Sequence, residues 1–396
     1  MFRQSAFICL TVFFCCADAL CIECAPCDAV ETCSPNGTGK AIEIGAVYTG
    51  GVFSNLRGGE RTGTTYMGVA EIGITGDTEK LGLWKNGTFF VGGLFSHGPG
   101  ITRYVGDYQD PVAFAYETPA KLTEYWYKHR FLRDRLTVKV GQQDTCSMFF
   151  YVDSKADFIN ASFTCPPATC MPTQPHSTRG IATSLDLWND ITFKFGIHDA
   201  DHNTQDHWGR DLHYEVQIER RYSLFNALPG FAFIGGWYDT SECDHYHKSQ
   251  GHAVHGTIHG NYGFCAGIDQ TVWLQNPCRH TGRGTQKTTV FTQFGTYKKD
   301  RDDLRFYYDI GLTHRGFLRS RPDDLIGVAC TTVCFSPGYR AENNDLPYKY
   351  ESAYEMFYKY QINDRAMLQP NFQYIIHPGG QHSDAVLLGL VFQIAL

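Results

Sequence analysis

Trp126 is surrounded at alternate positions by Glu124, Lys128 and Arg130. Side chains alternate between the two faces of a β-strand, so these four would share one face of a strand. An indole ring can stack on the flat face of a sugar while neighbouring charged groups hydrogen-bond the sugar hydroxyls. The spacing therefore predicts a carbohydrate-contacting surface. The plainer interpretation is that Trp126 packs under a loop or belongs to an interfacial aromatic girdle.

A second group of residues has the chemistry of metal ligands, because histidine and cysteine bind zinc and copper. The dense patch comprises Cys243, His245, His247, His252, His255 and His259. No spacing in it matches an established metal signature such as H-E-x-x-H. The polarity of a loop explains these residues adequately, so the sequence predicts no metal site and no cofactor.

Catalytic and nucleic-acid-binding functions find little support in the sequence. It contains no G-x-S-x-G elbow, no P-loop and no Rossmann fingerprint, so no enzyme and no catalytic residue is predicted. The net charge is −7, and no basic stripe is present. A nucleic-acid partner is therefore not expected.

The C-terminal segment shows the clearest β-pattern of the chain. Between residues 354 and 362, tyrosine, methionine and isoleucine alternate with Glu355, Phe357, Lys359 and Gln361. An aromatic and aliphatic face opposite a polar one fits a strand with lipid on one side and water on the other. The same alternation recurs in 122–131, 212–218 and 304–312.

Strand-like runs separated by turn residues recur along the whole chain. Fourteen are visible, and weak signals could hide two more, since barrel strands are inconspicuous. The runs are 41–49, 65–75, 87–97, 121–131, 135–143, 190–198, 211–221, 230–238, 253–263, 288–297, 303–314, 352–362, 366–377 and 385–396. The polar stretches between them are predicted to be loops at 98–119, 144–189, 199–210, 239–252, 264–287 and 315–350.

Together these patterns predict an all-β transmembrane antiparallel barrel of sixteen strands, with long extracellular loops and short periplasmic turns. No stretch reaches the roughly 18 apolar residues of a membrane helix, and a chain that spans a membrane without one must form a closed barrel. Tyrosine (23) and phenylalanine (28) are abundant, whereas charged residues make up only 19% of the chain. A soluble secreted β-protein is the plainer alternative.

The N-terminus carries the pattern of a signal peptide. Arg3 precedes a short apolar run, and Ala17-Asp18-Ala19 offers an A-x-A cleavage site. The predicted organisation is a signal peptide at 1–19, a Cys-rich pre-barrel segment at 20–40 and the barrel at 41–396. A lipoprotein signal with Cys21 as the modified residue is the rival interpretation.

Twelve cysteines follow the predicted cleavage site, and an even number in an exported chain suggests disulfides. The C-x-x-C spacing of Cys21, Cys24 and Cys27 is therefore interpreted as structural rather than as a redox or metal motif. Two sets of near neighbours could each close a small loop: Cys165 with Cys170, and Cys330 with Cys334. The pairing cannot be deduced from the sequence.

Several short motifs are weak signals individually, but together they occur in the order that is typical of one protein family. They are NLRGG at 55–59, HGPG at 97–100, YWY at 125–127, LTVKVGQ at 136–142, DFINASF at 157–163, LPGF at 228–231, GGWY at 235–238, ESAYEMFY at 351–358 and LQPNFQYIIHPGG at 368–380. In this order they resemble the carbohydrate-selective porin family (OprB type), and the resemblance covers roughly residues 41–396.

The resemblance implies an outer-membrane barrel of a Gram-negative-type bacterium that passes monosaccharides such as glucose by passive diffusion. Small carbohydrates and outer-membrane lipid would be its partners, with a homo-oligomer or disulfide links to envelope proteins as further expectations. Charged groups that line a narrow pore set its selectivity. The predicted pore-lining residues are Arg57, Glu124, Trp126, Lys128, Arg130, Gln142 and Asp144.

Two functions from other classes remain open at this point. One is a disulfide-cross-linked structural envelope protein or adhesin on a barrel scaffold, which the cysteine content suggests. The other is a secreted β-sheet carbohydrate-active enzyme.

Overall fold

Sixteen antiparallel strands close into a barrel in which each strand pairs with its neighbours in the chain and β1 pairs with β16. The computed structural model describes residues 40–116, 119–167, 172–188, 190–201, 209–225, 227–249, 252–275 and 285–396, without the side chains of 246–249 and 252–255. The strands are β1 Ile42–Gly59, β2 Gly63–Asp77, β3 Gly87–His97, β4 Ala120–Phe131, β5 Leu136–Gln143, β6 Thr178–Asp186, β7 Ile191–Asp199, β8 Leu212–Leu224, β9 Leu228–Ser249, β10 His252–Leu274, β11 Lys287–Tyr297, β12 Leu304–Arg315, β13 Leu325–Phe335, β14 Tyr350–Asn363, β15 Ala366–Ile376 and β16 Ser383–Ala395. The predicted all-β, sixteen-stranded barrel is confirmed.

The two faces of each strand differ in burial as the alternation predicts. In β14, Tyr354 and Met356 are 44% and 50% exposed on the outside of the barrel, whereas Glu355 and Phe357 are each 1% exposed on the inside. Because neighbouring side chains point to opposite faces, this parity fixes which residues face lipid and which face the lumen.

The two ends of the barrel carry connections of different length. Short turns at 132–135, 187–190, 225–227 and 364–365 lie at one end, here named the turn end. The long connections 98–119, 144–177 and 336–349 lie at the opposite end, named the loop end. This is the usual asymmetry of outer-membrane barrels, whose short turns are periplasmic and whose longer loops are extracellular.

The predicted loops 144–189 and 315–350 were wrong in part, because each contains a strand. β6 presents Gly180 and Ala182 to the lumen and Arg179 and Thr183 to the outer face, so polar and apolar residues are not separated by parity in this strand. β13 presents Leu325, Ala329 and Val333, which are 6%, 4% and 0% exposed because they pack inside the barrel. When both faces of a strand are small or apolar, the two-residue alternation disappears from the sequence.

The predicted loops 239–252 and 264–287 were also too long. β9 and β10 remain paired from Gln270↔Gly230 to His252↔Ser249, and β10 continues to Leu274. Beyond Asp239, β9 has no further register partner in β8, so the hairpin continues as a two-stranded ribbon. Both faces of such a ribbon can be polar, so its sequence lacks the alternation of polar and apolar residues that indicates a strand.

Two connections at the loop end carry the contacts that matter for function. The first inner loop, residues 98–119, contains helix α1 (Thr102–Val105). The second inner loop, residues 144–177, contains a 3-10 helix (Asp153–Lys155) and helix α2 (Ala161–Thr164). The loops are joined by backbone hydrogen bonds from Ala113 N–H to the Ile159 carbonyl (2.8 Å) and from Ala161 N–H to the Asp110 carbonyl (2.9 Å).

Both inner loops pack against the inside of the barrel wall. In the second, the Phe158 ring lies 5.5 Å from Phe291 of β11 and 4.9 Å from Phe357 of β14, between ring centroids. In the first, three buried aliphatic residues belong to a separate cluster with the inner faces of β1, β2 and β16: Ile101, Val105 and Val112. The hydrophobic core of this protein therefore lies inside the barrel, between its wall and the loops.

A disulfide joins Cys146 to Cys165 within the second inner loop, with the two Cα atoms 5.9 Å apart. The suggested pairing of Cys165 with Cys170 is therefore wrong. Cys330 and Cys334 are free cysteines of the single strand β13. Four strand residues span roughly 13 Å, well beyond the reach of a disulfide, so this second pairing is wrong as well.

Two short helical segments complete the described structure, helix α3 (Pro337–Glu342) and a 3-10 helix at Pro378–Gly380. Within the described residues, none of the helices has the length and apolar character needed to cross a bilayer. The predicted signal peptide and most of the Cys-rich segment lie outside the described residues.

Candidate functional site

The inner loops are held in the lumen by carboxylates of the barrel wall, foremost Glu351 of β14. Its carboxylate accepts hydrogen bonds from the backbone N–H groups of Tyr108 (2.8 Å) and Gln109 (3.0 Å) of the first inner loop. It also accepts one from Gly379 N–H (2.6 Å). Glu351 is 0% exposed. One buried side chain therefore satisfies three backbone donors that would otherwise lack acceptors away from water.

Glu355, four residues further along the same inner face of β14, does the same for the second inner loop. It accepts hydrogen bonds from the backbone N–H groups of Ile159 (2.8 Å) and Asn160 (3.0 Å), and from the Asn371 amide (2.7 Å). Because these donors are uncharged, the carboxylate is solvated by a preorganised set of dipoles rather than by a counter-ion.

Lys155 provides an ionic anchor for the same loop. Its ammonium group donates hydrogen bonds to Asp309 of β12 and Gln293 of β11, and it is 2% exposed. The Gln293 amide in turn donates to the Phe150 carbonyl (2.9 Å). Removal of either member of a buried ion pair leaves an uncompensated charge, so this contact fixes the position of the 3-10 helix.

The predicted pore-lining residues fall into two groups. Glu124, Trp126 and Asp144 come together at the loop-end side of β4 and β5 and are all buried. The Trp126 indole N–H donates to Glu124 (3.2 Å), and so does the Asp144 backbone N–H (3.2 Å). Glu124 therefore ties the start of the second inner loop to the wall.

Trp126 itself is 7% exposed. Phe90 stacks on it with ring centroids 5.2 Å apart, and the Lys139 ammonium lies 4.4 Å from its ring centroid. Stacking of this indole on a sugar stays a prediction, and it would require the Lys139 ammonium to leave the ring. Lys128, which is partly exposed, places its ammonium 5.6 Å from the same ring.

The other predicted residues lie apart from this cluster. Arg130 is exposed near the turn end, where its guanidinium is 3.6 Å from the Asp134 carboxylate. Arg57 is exposed after the register shift that separates it from Asn55 in β1. The Gln142 amide donates to the backbone carbonyls of Leu122 and Thr123 (3.1 and 2.8 Å), which stabilises β4 beside its own register shift.

Sequence reasoning missed the residues that position the loops: Lys155, Gln293, Asp309, Glu351 and Glu355. Glu355 and Asp309 lie on the polar parity of the segments 354–362 and 304–312, which indicates a lumen-facing side chain and nothing more. The pairing partners lie about 200 residues away, since Ile159 and Glu355 are separated by 196 positions. No local pattern reports a contact over that distance.

We expect Glu355→Gln to loosen the second inner loop, because an amide presents only one acceptor oxygen where the carboxylate receives hydrogen bonds on both. The loss should be about 1–3 kcal/mol of docking free energy. Limited proteolysis of the detergent-solubilised protein measures it as faster cleavage within 144–177. Glu79→Gln, an equivalent change at an exposed turn residue, is the matched control and should leave the cleavage rate unchanged. Equal cleavage rates for both variants would contradict the proposed anchor.

Asp144 generates a pH-dependent prediction. Burial, together with the nearby negative charge of Glu124, raises the pKa of Asp144 to about 7. A carboxyl group with a raised pKa in the folded protein favours the folded state at low pH, and this contribution is lost as the pH rises through about 7. The second inner loop should therefore become easier to cleave as the pH rises from acidic values to about 7, and Asp144→Asn should remove this pH dependence. A variant that keeps the wild-type pH profile would show that another group titrates.

Residues 61–396 match the family described as carbohydrate-selective porin, OprB family. Porin B of Pseudomonas aeruginosa is 22% identical over 187 residues, which are 42% of this chain and 41% of that protein. The chain thus spans about half the length of the curated relatives that it matches.

Solved structures show the same fold. The high-pH structure of Pseudomonas putida OprB superposes with a TM-score of 0.80 at 18% identity, covering 90% of this chain and 95% of that chain. The outer membrane channel DcaP of Acinetobacter baumannii has a TM-score of 0.52 at 8% identity, covering 91% and 99%. The family match extends over most of the barrel, and we conclude that the chain belongs to the carbohydrate-selective porin family, OprB type.

Proposed function

We propose that this protein is an outer-membrane porin through which small carbohydrates diffuse passively. The observation that carries the proposal is a closed barrel of sixteen strands whose lumen is narrowed by two inner loops anchored to the wall. A barrel without such loops would leave a wide aqueous channel with little selectivity. Membership of the carbohydrate-selective porin family supports sugars as the solutes.

The outer surface of the barrel fits a lipid environment. Exposed apolar residues recur on successive strands, among them Ile234, Phe264, Ile310 and Val328, which are 64%, 59%, 54% and 52% exposed. Exposed apolar area of this extent is unfavourable in water and is expected where lipid tails cover it. The location is accordingly the outer membrane of a Gram-negative-type bacterium, and the protein acts as a channel rather than an enzyme.

The rigid anchoring of the inner loops suits a filter for sugars. A sugar has to exchange water for side-chain partners at each step, so the partners must be held in place. The cluster of Glu124, Trp126, Lys128 and Lys139 offers two ammonium groups over one indole at the edge of the second inner loop. We propose that Lys128 and Lys139 hydrogen-bond sugar hydroxyls there and that Trp126 keeps both ammonium groups in place.

A homo-oligomer and disulfide links to envelope proteins stay proposals. Cys330 and Cys334 share the outward parity of Val328 on β13 and are free, and Cys330 is partly exposed there, so a neighbouring barrel would reach it on the outer face. A structural envelope protein or adhesin, the alternative function, is not favoured by the family match.

Conductance of the purified protein in a planar lipid bilayer tests the function. We expect stable conductance steps that glucose partially blocks, because a sugar held at the inner loops reduces the ion flow. Folded protein that inserts but shows steps unaffected by any sugar would remove the carbohydrate site and leave a general porin. Folded protein that forms no channel would overturn the proposal.

Trp126→Ala tests the cluster within this function. Since both lysine side chains lose the ring beneath them, we expect glucose to block the variant about tenfold more weakly, equivalent to roughly 1.4 kcal/mol, while single-channel conductance changes little. Phe264→Ala, which removes an aromatic ring from the outer face, is the control and should block like the wild type. Unchanged block in Trp126→Ala would exclude this cluster as the sugar contact.

A further inference from the structure

Basic side chains lie in one row across four neighbouring strands near the turn end. In register, Lys287 of β11 is opposite Arg315 of β12, Arg315 is opposite Leu325 of β13, and Leu325 is opposite Lys359 of β14. Opposite residues share a face, and Leu325 is a buried residue of the inner face. All three basic residues therefore project into the lumen.

Two further basic residues extend this row beneath the second inner loop, and we name the five the basic arc: Lys194, Arg221, Lys287, Arg315 and Lys359. Lys194 donates to the Met148 carbonyl of that loop (3.0 Å), and Lys359 contacts Asp157 of the loop (2.6 Å). Arg221 lies within electrostatic reach of Asp153 in the 3-10 helix, as do Lys194 and Lys287. The arc follows the turn-end side of the loop from β7 to β14.

Four carboxylates face the basic arc: Asp153, Asp157, Glu219 and Asp269. Two of them are in ion pairs, Glu219 with Lys194 (2.8 Å) and Asp157 with Lys359 (2.6 Å). Asp269 accepts a hydrogen bond from the Ser154 backbone N–H (3.0 Å). Within the part of the chain that the structure describes, no carboxylate lies within 4.0 Å of the charged groups of Arg221, Lys287 or Arg315.

Four acidic residues of the inner wall are more deeply buried than the residues of the basic arc. Glu215, Asp309, Glu351 and Glu355 are each at most 1% exposed. The last three are engaged by the inner loops or by Lys155. The arc residues Arg221 and Arg315 are exposed, and Lys194, Lys287 and Lys359 are partly exposed. The inner loops thus cover Asp309, Glu351 and Glu355 of the wall, whereas the basic arc stays at least partly exposed, as do the three carboxylates Asp153, Asp157 and Asp269 that face it.

Lys287 and Arg315 place two positive charges directly opposite each other on neighbouring strands. Like charges directly opposite each other in a sheet destabilise it unless an anion or water shields them. Elsewhere in the basic arc, the Arg221 guanidinium of β8 lies 5.4 Å from the centre of the Phe231 ring of β9, which also faces the lumen. An aromatic ring beside cations suits a sugar that carries a negative charge, with the ring against the sugar face and the cations at its acid group.

We propose that the turn-end half of the lumen selects anionic monosaccharides, that is, sugar acids with one carboxylate, and that Lys287 and Arg315 form the carboxylate contact. The inference rests on the proposed porin function and names a substrate class for it. Arg221 and Phe231 provide a further surface for the sugar ring. A neutral hexose would pass the same lumen without this attraction.

Liposome swelling with glucuronate and with glucose tests the proposal, because the two solutes have similar size and differ in charge. We expect the wild-type protein to admit glucuronate faster than glucose at about 0.1 M salt. In Lys287→Gln/Arg315→Gln the glucuronate-to-glucose ratio should fall about threefold, the effect of two charges several ångströms away under partial screening. In about 1 M salt the wild-type ratio should fall to the level of the variant.

Lys80→Gln/Lys85→Gln is the matched control, since it removes two positive charges from an exposed turn outside the lumen. It should retain the wild-type ratio. A ratio that is the same in the wild type, the Lys287/Arg315 variant and the control would overturn the inference while leaving the porin function intact. A ratio that falls equally in both variants would assign the effect to net charge and overturn it too. Absence of swelling with either sugar, in liposomes that contain folded protein, would instead refute the proposed function.

Discussion

The structure depends on one constraint, namely that backbone N–H groups placed inside a barrel need acceptors there. A loop that leaves the rim and enters the lumen exchanges water for the barrel wall, and each buried unpaired amide costs free energy. Glu351 and Glu355 meet this need with five backbone donors between them. Lys155 adds an ionic contact to Asp309. The diameter of the pore follows from these contacts, since they determine how far the loops enter it.

The same contacts explain the unusual distribution of hydrophobic residues. The interior of a sixteen-stranded barrel is an aqueous channel, so the strands alone do not enclose a hydrophobic core. Here the inner loops supply the missing layer, and Phe158 and Phe163 pack against wall residues such as Phe291 and Phe357. The Cys146–Cys165 disulfide closes the loop that carries this layer. In the chain-entropy picture a bridge over about 20 residues contributes roughly 3 kcal/mol by restricting the unfolded loop.

The inner loops also determine which charged side chains of the lumen are buried and which stay exposed to water. Carboxylates that accept backbone N–H groups become buried. The residues of the basic arc stay at least partly exposed to water, including Lys194 and Lys359, which contact the second inner loop. A sequence with net charge −7 thereby presents exposed positive groups along one side of its channel. Selectivity for a solute depends on this exposed subset and not on the net charge of the chain.

The sequence by itself determined the fold class, the strand parity and the family. Alternation in segments such as 354–362 is local, and it records directly which side chains meet lipid. It could not reveal β6, in which polar residues stand on both faces, or β13, whose inner face is largely apolar because the inner loops pack on it. It placed Trp126 on the lumen side of β4, but only the tertiary structure shows that Phe90 and Lys139 pack on its ring. Only the tertiary structure could show the anchors, since Glu355 and Ile159 lie 196 positions apart and meet only when the barrel has closed around the loop.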